Sequence, residues 1–269
     1  MTAEVEAGSV PAFSRVQAML DREENFSALP SLALAMRFEL PACALEETVI
    51  AFDANVLLRL NNHPRCEDII DVLRASCEGR LILPGQVIQE FWNNQFAVIP
   101  TVAVTLRKKF DDFREALSEV DSEFGDYASR FDSLIDEFNA EFGYVFDENS
   151  TRRARLFLEL LQEKAKVPFV SRSALFQTAQ ARKRTKTPPG FKDTTDGDFY
   201  VWADLLLGLA EMKEEGAVFQ RVALVTMDKK IDWSRQGVPH PILSAEVGAI
   251  CGADFETITI NELAVRLLD

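Results

Sequence analysis

Residues 48–60 read TVIAFDANVLLRL, five residues suited to a buried strand, then an aspartate, then apolar side chains at helical spacing. A short β-branched, apolar run without polar alternation is what a central parallel strand, covered on both faces, requires. The run stops at Asp53, and Leu57 to Leu60 begin a helix, so the acid closes a strand at a β-to-α turn. The pattern recurs outward. Leu81 to Leu83 is a second strand, and Pro84 opens a helix carrying Glu90; RVALVT at 221–226 is another strand, followed by a polar turn at Asp228. A last strand is expected near Phe255 to Ile260, with Asn261 as N-cap of a final helix and Glu262 in its first turn. Strands alternating with helices predict an α/β fold, a three-layer α/β/α sandwich on a mostly parallel central sheet.

In such a sheet the ligand crevice lies outside the carboxyl ends of the strands, where residues distant in sequence meet. Asp53, Glu90 and Asp228 are placed to do so, and Asp198, in DGDFYVWADLL, opens a further apolar helix. Acids gathered at strand ends, in a chain with 2 histidines, suit a hard divalent cation that takes oxygen ligands. Hydrolysis of a phosphodiester needs charge stabilised on the attacking and leaving oxygens, which paired Mg²⁺ or Mn²⁺ ions provide. Asp53 is the expected central ligand, with Glu90, Asp198 and Asp228 completing the metal-binding and catalytic set. Asp193 and Asp196 compete with Asp198, and Asp232 either joins Asp228 or stands behind it. Asn55 either orients water or Asp53, or accepts a left-handed turn; Asn93 and Asn94 bind phosphate or the preceding loop. Each acid also has a plain structural role open to it, as a helix cap or a solvated side chain.

Residues 1–47 are expected to form an extension packed on a core domain of residues 48–269, with an amphipathic helix around Phe13, Val16 and Leu20. A helical insertion is placed at about 97–185. From Leu106 an apolar stripe runs through Phe110, Phe113, Leu117, Val120, Phe124, Tyr127, Phe131, Leu134 and Phe138 at alternating steps of four and three. It predicts one long helix, interrupted at most near Gly125, paired in a long hairpin with a helix at 151–165 or, alternatively, with a second copy in a homodimer.

The net charge of −14 argues against a simple basic nucleic-acid clamp, yet charge is unevenly spread. Residues 101–150 hold 13 acids against 5 bases, whereas residues 151–192 hold 11 bases against 2 acids. A phosphate-binding surface therefore draws on the second block, read as a basic loop in ARKRTKTPPGFK: Arg182, Lys183, Arg184, Lys186 and Lys192, joined by Lys229 and Lys230. Four cysteines without C-x-x-C spacing read as reduced thiols. With no long apolar run and no signal-like start, a cytoplasmic protein without membrane contact is expected.

The chain resembles the PIN-like nuclease superfamily, in its bacterial branch with a long helical insertion. The resemblance is carried by FDANVLLRL at 52–60, LPGQVIQEFWNNQ at 83–95, PPGFKDTTDGDFYVW at 188–202, VTMDKKIDW at 225–233 and HPILSAEV at 240–247. The first stretch alone is common; the third and fourth together are far more specific. The resemblance implies a Mg²⁺- or Mn²⁺-dependent endonuclease, with RNA as usual substrate and DNA as the alternative, and Asp53, Glu90, Asp198 and Asp228 as the matching acids. It also implies a toxin or phage-defence setting, with an antitoxin or defence-system protein as partner. Three positions depart from the pattern: Ala54 for the usual Ser or Thr, Met227 for a polar residue, and Gln95 for a basic one.

Two other readings compete. A haloacid-dehalogenase-like phosphatase also ends strands in aspartate, but needs a second Asp two residues on, where this chain has Asn55. A catalytically inactive, nuclease-like interaction module would act through the acidic hairpin.

Overall fold

The first strand, β1 (Thr48–Phe52), is buried at every position and sits in the middle of a five-stranded sheet. The computed structural model describes residues 11–23, 26–37, 43–118, 127–142, 149–228 and 230–269, without side chains for 94–107, 116–118, 128, 138–142 and 149–151. Before β1 come α1 (Ala12–Leu20) and α2 (Ala28–Ala35); after it come α3 (Ala54–Arg59), α4 (Cys66–Ser76) and β2 (Leu81–Ile82). Then follow α5 (Gly85–Ser118), α6 (Tyr127–Phe142), α7 (Asn149–Lys164) and β3 (Ala165–Lys166). The last third comprises α8 (Phe176–Arg184), α9 (Gly197–Glu214), β4 (Arg221–Val225), a β5 (Ser234–Arg235) and β6 (Val238–Pro239) ribbon, α10 (Pro241–Cys251), β7 (Asp254–Ile258) and α11 (Ile260–Leu268).

The sheet order is β3-β2-β1-β4-β7, and every neighbouring pair is parallel. From β1 the chain first builds outward through β2 and β3, then returns to β4 on the other side. The switch point thus lies between β1 and β4, where an open parallel sheet splays and leaves a crevice at its carboxyl edge. Helices α4, α7 and α11 pack together on one side, and α1, α9 and α10 on the other. Helix α9 is apolar nearly all round and correspondingly buried from Phe199 to Ala210, Tyr200 excepted, as the fold predicts for a helix enclosed by others. Val16, Met19 and Leu20 of α1 are buried in the same core.

The apolar stripe from Leu106 is not one helix. The rings of Phe113 and Phe131 lie 4.6 Å apart, and Arg114 Nε donates to Asp132 at 2.8 Å. Eighteen residues of continuous helix would hold such pairs roughly 27 Å apart. Helix α6 therefore folds back on α5, and the two halves of the stripe face each other; Gly125 and its neighbours lie outside the described residues. The partner expected at 151–165 is otherwise engaged. In α7, Phe157, Leu160 and Leu161 are buried in the main core, with the Phe157 ring edge-on to Phe52 at 5.1 Å. The C-terminal helix also starts earlier than read: Thr259, not Asn261, is its cap, because Thr259 and Glu262 form a reciprocal capping box. The strand at 165–166, too short for a sequence signal, closes one sheet edge.

One buried ionic cluster ties α10 to the loop that precedes α9. Glu246, fully buried, accepts from Arg182 at 2.8 and 3.2 Å and from Trp202 Nε1 at 2.7 Å, and pairs with Arg22 at 2.7 Å. Arg182 in turn donates to the Pro188 carbonyl. Glu246→Ala would leave the Arg182 guanidinium buried without its carboxylate, so a loss of about 3–5 kcal/mol is expected. Urea denaturation of the variant against the parent measures it.

Candidate active site

Parallel pairing of β1 with β4 sets Phe52 against Val225, and the ladder runs one step further, with Asp53 N donating to the Val225 carbonyl at 3.1 Å. Asp53 and Thr226 therefore leave the sheet side by side. Thr226 Oγ1 donates to Asp53 Oδ2 at 2.7 Å, Ala54 N to Oδ1 at 2.6 Å, and Asn55 Nδ2 to Oδ2. The amide oxygen of Asn55 accepts Met227 N at 2.8 Å, and Thr226 Oγ1 accepts Asp228 N at 2.9 Å. Asn55 thus orients Asp53 from within α3 rather than adopting a left-handed turn. Ala54 brings only its backbone N–H; the hydroxyl at Asp53 comes from Thr226. Burial pushes the Asp53 carboxyl above its ordinary range in spite of the donors from Thr226 and Ala54.

Glu90 is positioned from behind. The first N–H groups of a helix lack partners within it, and in α5 the Gln86 N–H donates at 2.8 Å to Asp204, a fully buried carboxylate on α9. The other Asp204 oxygen accepts Val170 N at 2.7 Å and Arg172 at 2.8 Å. One turn along α5, Glu90 Oε1 accepts Gln86 Nε2 at 3.2 Å. It reaches the start of α9, where a Cβ on Gly197 would stand 2.5 Å from Glu90 Oε1. Burial raises the Glu90 carboxyl, and the charges of Asp53 and Asp193 add to that.

The stretch between α8 and α9 contains a cis Pro188–Pro189 bond and then Gly190 at φ 79°, a conformation suited to glycine. Gly190 N donates to the buried Asp232 at 3.0 Å, and a Cβ at Gly190 would stand 2.8 Å from that of Asp198. Asp232 thus stands behind the loop rather than beside Asp228. The three competing acids separate here. Asp196 turns to Gln180 Nε2 at 2.7 Å and Lys183 Nζ at 3.2 Å, whereas Asp193 and Asp198 hydrogen-bond each other and face Asp228 across Lys230. Trp233 Nε1 donates to Asp198 Oδ2 at 2.8 Å. Burial, reinforced by the hydrogen bond that the protonated acid donates to Asp193, pushes the Asp198 carboxyl up to about 7. Asp193 moves the other way: burial works against its ionisation, but the bonds from Lys230 and Asp198 hold it low.

Lys230 closes the arrangement, its Nζ 2.9 Å from Asp193, 3.2 Å from Asp198 and 3.2 Å from Asp228. These oxygens stand at ammonium spacing, not at the roughly 2.0–2.1 Å of Mg²⁺ ligands. Among the described residues no group of three or more acids, histidines or cysteines stands ready to hold an ion. The donor set nevertheless fits a hard divalent cation. Asp53, Glu90, Asp193, Asp198 and Asp228 are all oxygen donors at one crevice, and Asp53, Glu90 and Asp198 are each held above their ordinary pKa. Such a cluster lacks positive charge, and Lys230 is the described cation whose ammonium contacts three of the acids.

The basic block divides. Arg182 is 4% exposed, and the half-buried Lys183 donates to the carbonyls of Thr194 and Thr195 at 3.0 and 3.1 Å, so both brace the loop. The segment is also not a loop throughout, because α8 runs to Arg184. Arg184, Lys186 and Lys192 are exposed. The Asn94 side chain and Lys229 lie outside the described residues. Thr226, Gln86, Asp204 and Glu246 were missed by the sequence reading. For Asp204 and Glu246 the available signal was a lone acid inside an apolar helical run, VWADLLL and SAEVGAI.

Asp198 carries a pH signature. Its folded-state value of about 7 lies above the ordinary 3.8, so folding favours the protonated acid. That stabilisation is complete below about pH 4 and is lost as pH rises through about 7. In EDTA, Asp198→Asn is expected to raise Tm over the parent at pH 8 and to leave it nearly unchanged at pH 4. Equal Tm differences at both values would remove the assignment.

No curated protein and no solved structure matches the chain. Among the described residues no helix is long and apolar enough to cross a membrane. The family described as "PIN like domain" matches residues 49–163 and 147–243, a span that runs from β1 into α10 and takes in every acid of the crevice. The chain therefore belongs to this PIN-like family, a superfamily of nuclease type.

Proposed function

We propose that the protein is a Mg²⁺- or Mn²⁺-dependent endonuclease that hydrolyses phosphodiester bonds, with RNA as substrate. The observation that carries this reading is the gathering of Asp53, Glu90, Asp193, Asp198 and Asp228 at the switch point of a PIN-like sheet, three of them with raised pKa values. Asp53, Glu90, Asp198 and Asp228 would hold the metal, with Asp193 beside them. Bound there, two such ions supply positive charge for the attacking and leaving oxygens of the phosphodiester.

The protein's own part is placement. Donors from Thr226, Ala54 and Asn55 fix the Asp53 carboxylate, so it need not reorganise on binding a cation. Asp204 anchors the helix that carries Glu90, and Trp233 orients Asp198. Exposed Arg184, Lys186 and Lys192 would offer phosphate contacts, Lys192 from the position directly before Asp193.

The phosphatase reading finds no acid where it needs one. Asn55 stands two residues after Asp53 with its amide committed to Asp53 and to Met227 N, and an amide has no proton to give a leaving group.

Purified protein is expected to cleave single-stranded RNA internally in Mn²⁺ and not in EDTA. Asp53→Asn or Asp228→Asn should lower the rate at least about 100-fold with the circular dichroism unchanged. Hydrolysis of phosphomonoesters alone would replace the nuclease reading with the phosphatase one. Replacing Arg184, Lys186 and Lys192 together by Ala should weaken RNA binding and shrink the slope of log affinity against log salt by roughly 0.7 per lost phosphate contact. An unchanged slope would move the RNA path elsewhere.

A further inference from the structure

Lys230 reaches the acids from a backbone that cannot move far. Its N–H donates to Asp228 Oδ1 at 2.7 Å, and its carbonyl accepts Trp233 N at 3.1 Å and Ser234 N at 3.2 Å, so the residue is pinned in the turn after β4. The side chain is different. It is 38% exposed, so its four-carbon stem borders solvent while the ammonium contacts Asp193, Asp198 and Asp228. Asp53 and Glu90 also feel its charge. A lysine is a compact, mobile point charge with freely rotating donors, unlike the planar fork of arginine. It can neutralise a cluster and then leave it without breaking the fold.

We propose that the Lys230 ammonium is a built-in stand-in cation, filling the place of a divalent ion in the metal-free protein and swinging outward when the ion binds. The inference rests on the metal-dependent reading above and adds to it that the protein's own side chain competes with the metal. Three facts favour competition over a plain surface ion pair. The ammonium touches three acids at once, two of which, Asp198 and Asp228, are in the set proposed to hold metal. An ion held by Asp198 and Asp228 would need the same oxygens that Nζ now contacts at 3.2 Å, so the two cations would compete for them. Finally, its partners come from two separate segments, 193–198 and 228, so in the absence of metal Lys230 holds the crevice together. The metal would take over that link as well as the charge.

The test uses the full chain. Mn²⁺ binding is followed by electron paramagnetic resonance of the free ion and by calorimetry, for the parent, Lys230→Met and Lys230→Arg, with Tm measured in EDTA and in Mn²⁺. Lys230→Met should bind Mn²⁺ about tenfold or more tightly than the parent, in keeping with the strength of a hydrogen bond between charged groups. It should also melt lower than the parent in EDTA and gain more Tm from Mn²⁺. Lys230→Arg, which keeps the charge, should bind no more tightly than the parent. If Lys230→Met binds Mn²⁺ as the parent does, or more weakly, Lys230 does not compete and the inference is overturned while the metal-dependent reading stands. If Lys230→Arg gains as much affinity as Lys230→Met, charge is not the cause and the inference is equally overturned. If no form binds Mn²⁺, the metal-dependent reading itself fails and takes the inference with it.

Discussion

Five carboxylates share one crevice with one lysine, and most of the structure around them exists to tolerate that. Two unit charges 4 Å apart repel by about 4 kcal/mol at the effective dielectric near a protein surface. Left alone, such a group would be relieved by moving apart. Here it is held instead by the parallel β1–β4 pairing, which fixes Asp53 beside Thr226 and brings Asp228 within reach of the same hydroxyl. The hydrogen bond between Asp198 and Asp193 and the Lys230 ammonium offset part of the repulsion. The raised pKa values of Asp53, Glu90 and Asp198 come first from burial, with neighbouring acids adding to it.

A second layer of acids stands behind the first. Asp204 holds the start of α5, Asp232 holds Gly190, and Glu246 holds Arg182 and through it Pro188. Burying a charge is costly and a well-packed apolar contact often stabilises as much. The directional bonds do what apolar contacts do not, since each fixes the position of a backbone segment that bears a front acid. Asp204 sets where Glu90 projects, and Asp232 sets the Gly190 turn against Asp198.

Much of this was legible in the sequence, for local reasons. TVIAF and RVALVT are short, apolar and β-branched, and the acids after them follow from the chain leaving the sheet. Glu90 and Asp198 were found because apolar periodicity locates α5 and α9. What was not legible depends on contacts between distant segments. Nothing local distinguishes Arg182, which is buried on Glu246, from Arg184 two residues later, which faces solvent. The stripe of α5 and α6 keeps its period across the break, so periodicity alone reads straight through a fold-back. Thr226 looked like the end of a strand; its role comes from Asp53, 173 residues away and just past β1. Asp193, Asp196 and Asp198 were separable only once Gln180, Lys183 and Lys230 had been placed in space.

The net charge of −14 is compatible with a polyanionic substrate because charge acts locally in salt. At physiological ionic strength the screening length is about 8 Å, so exposed charges beyond it contribute little. Part of the acidic block lies on α5 and α6, where Asp111, Asp112, Asp132, Asp136 and Glu137 are exposed. Lys192, by contrast, is also exposed and directly precedes Asp193, one of the acids of the crevice. A phosphate approaching there meets the nearest charges first. The acids of the crevice would repel it unless they are neutralised, and Lys230 alone neutralises too few of them. On the metal-dependent reading proposed above, the same electrostatics that let this site tolerate one lysine would favour a more highly charged cation before a phosphate could approach.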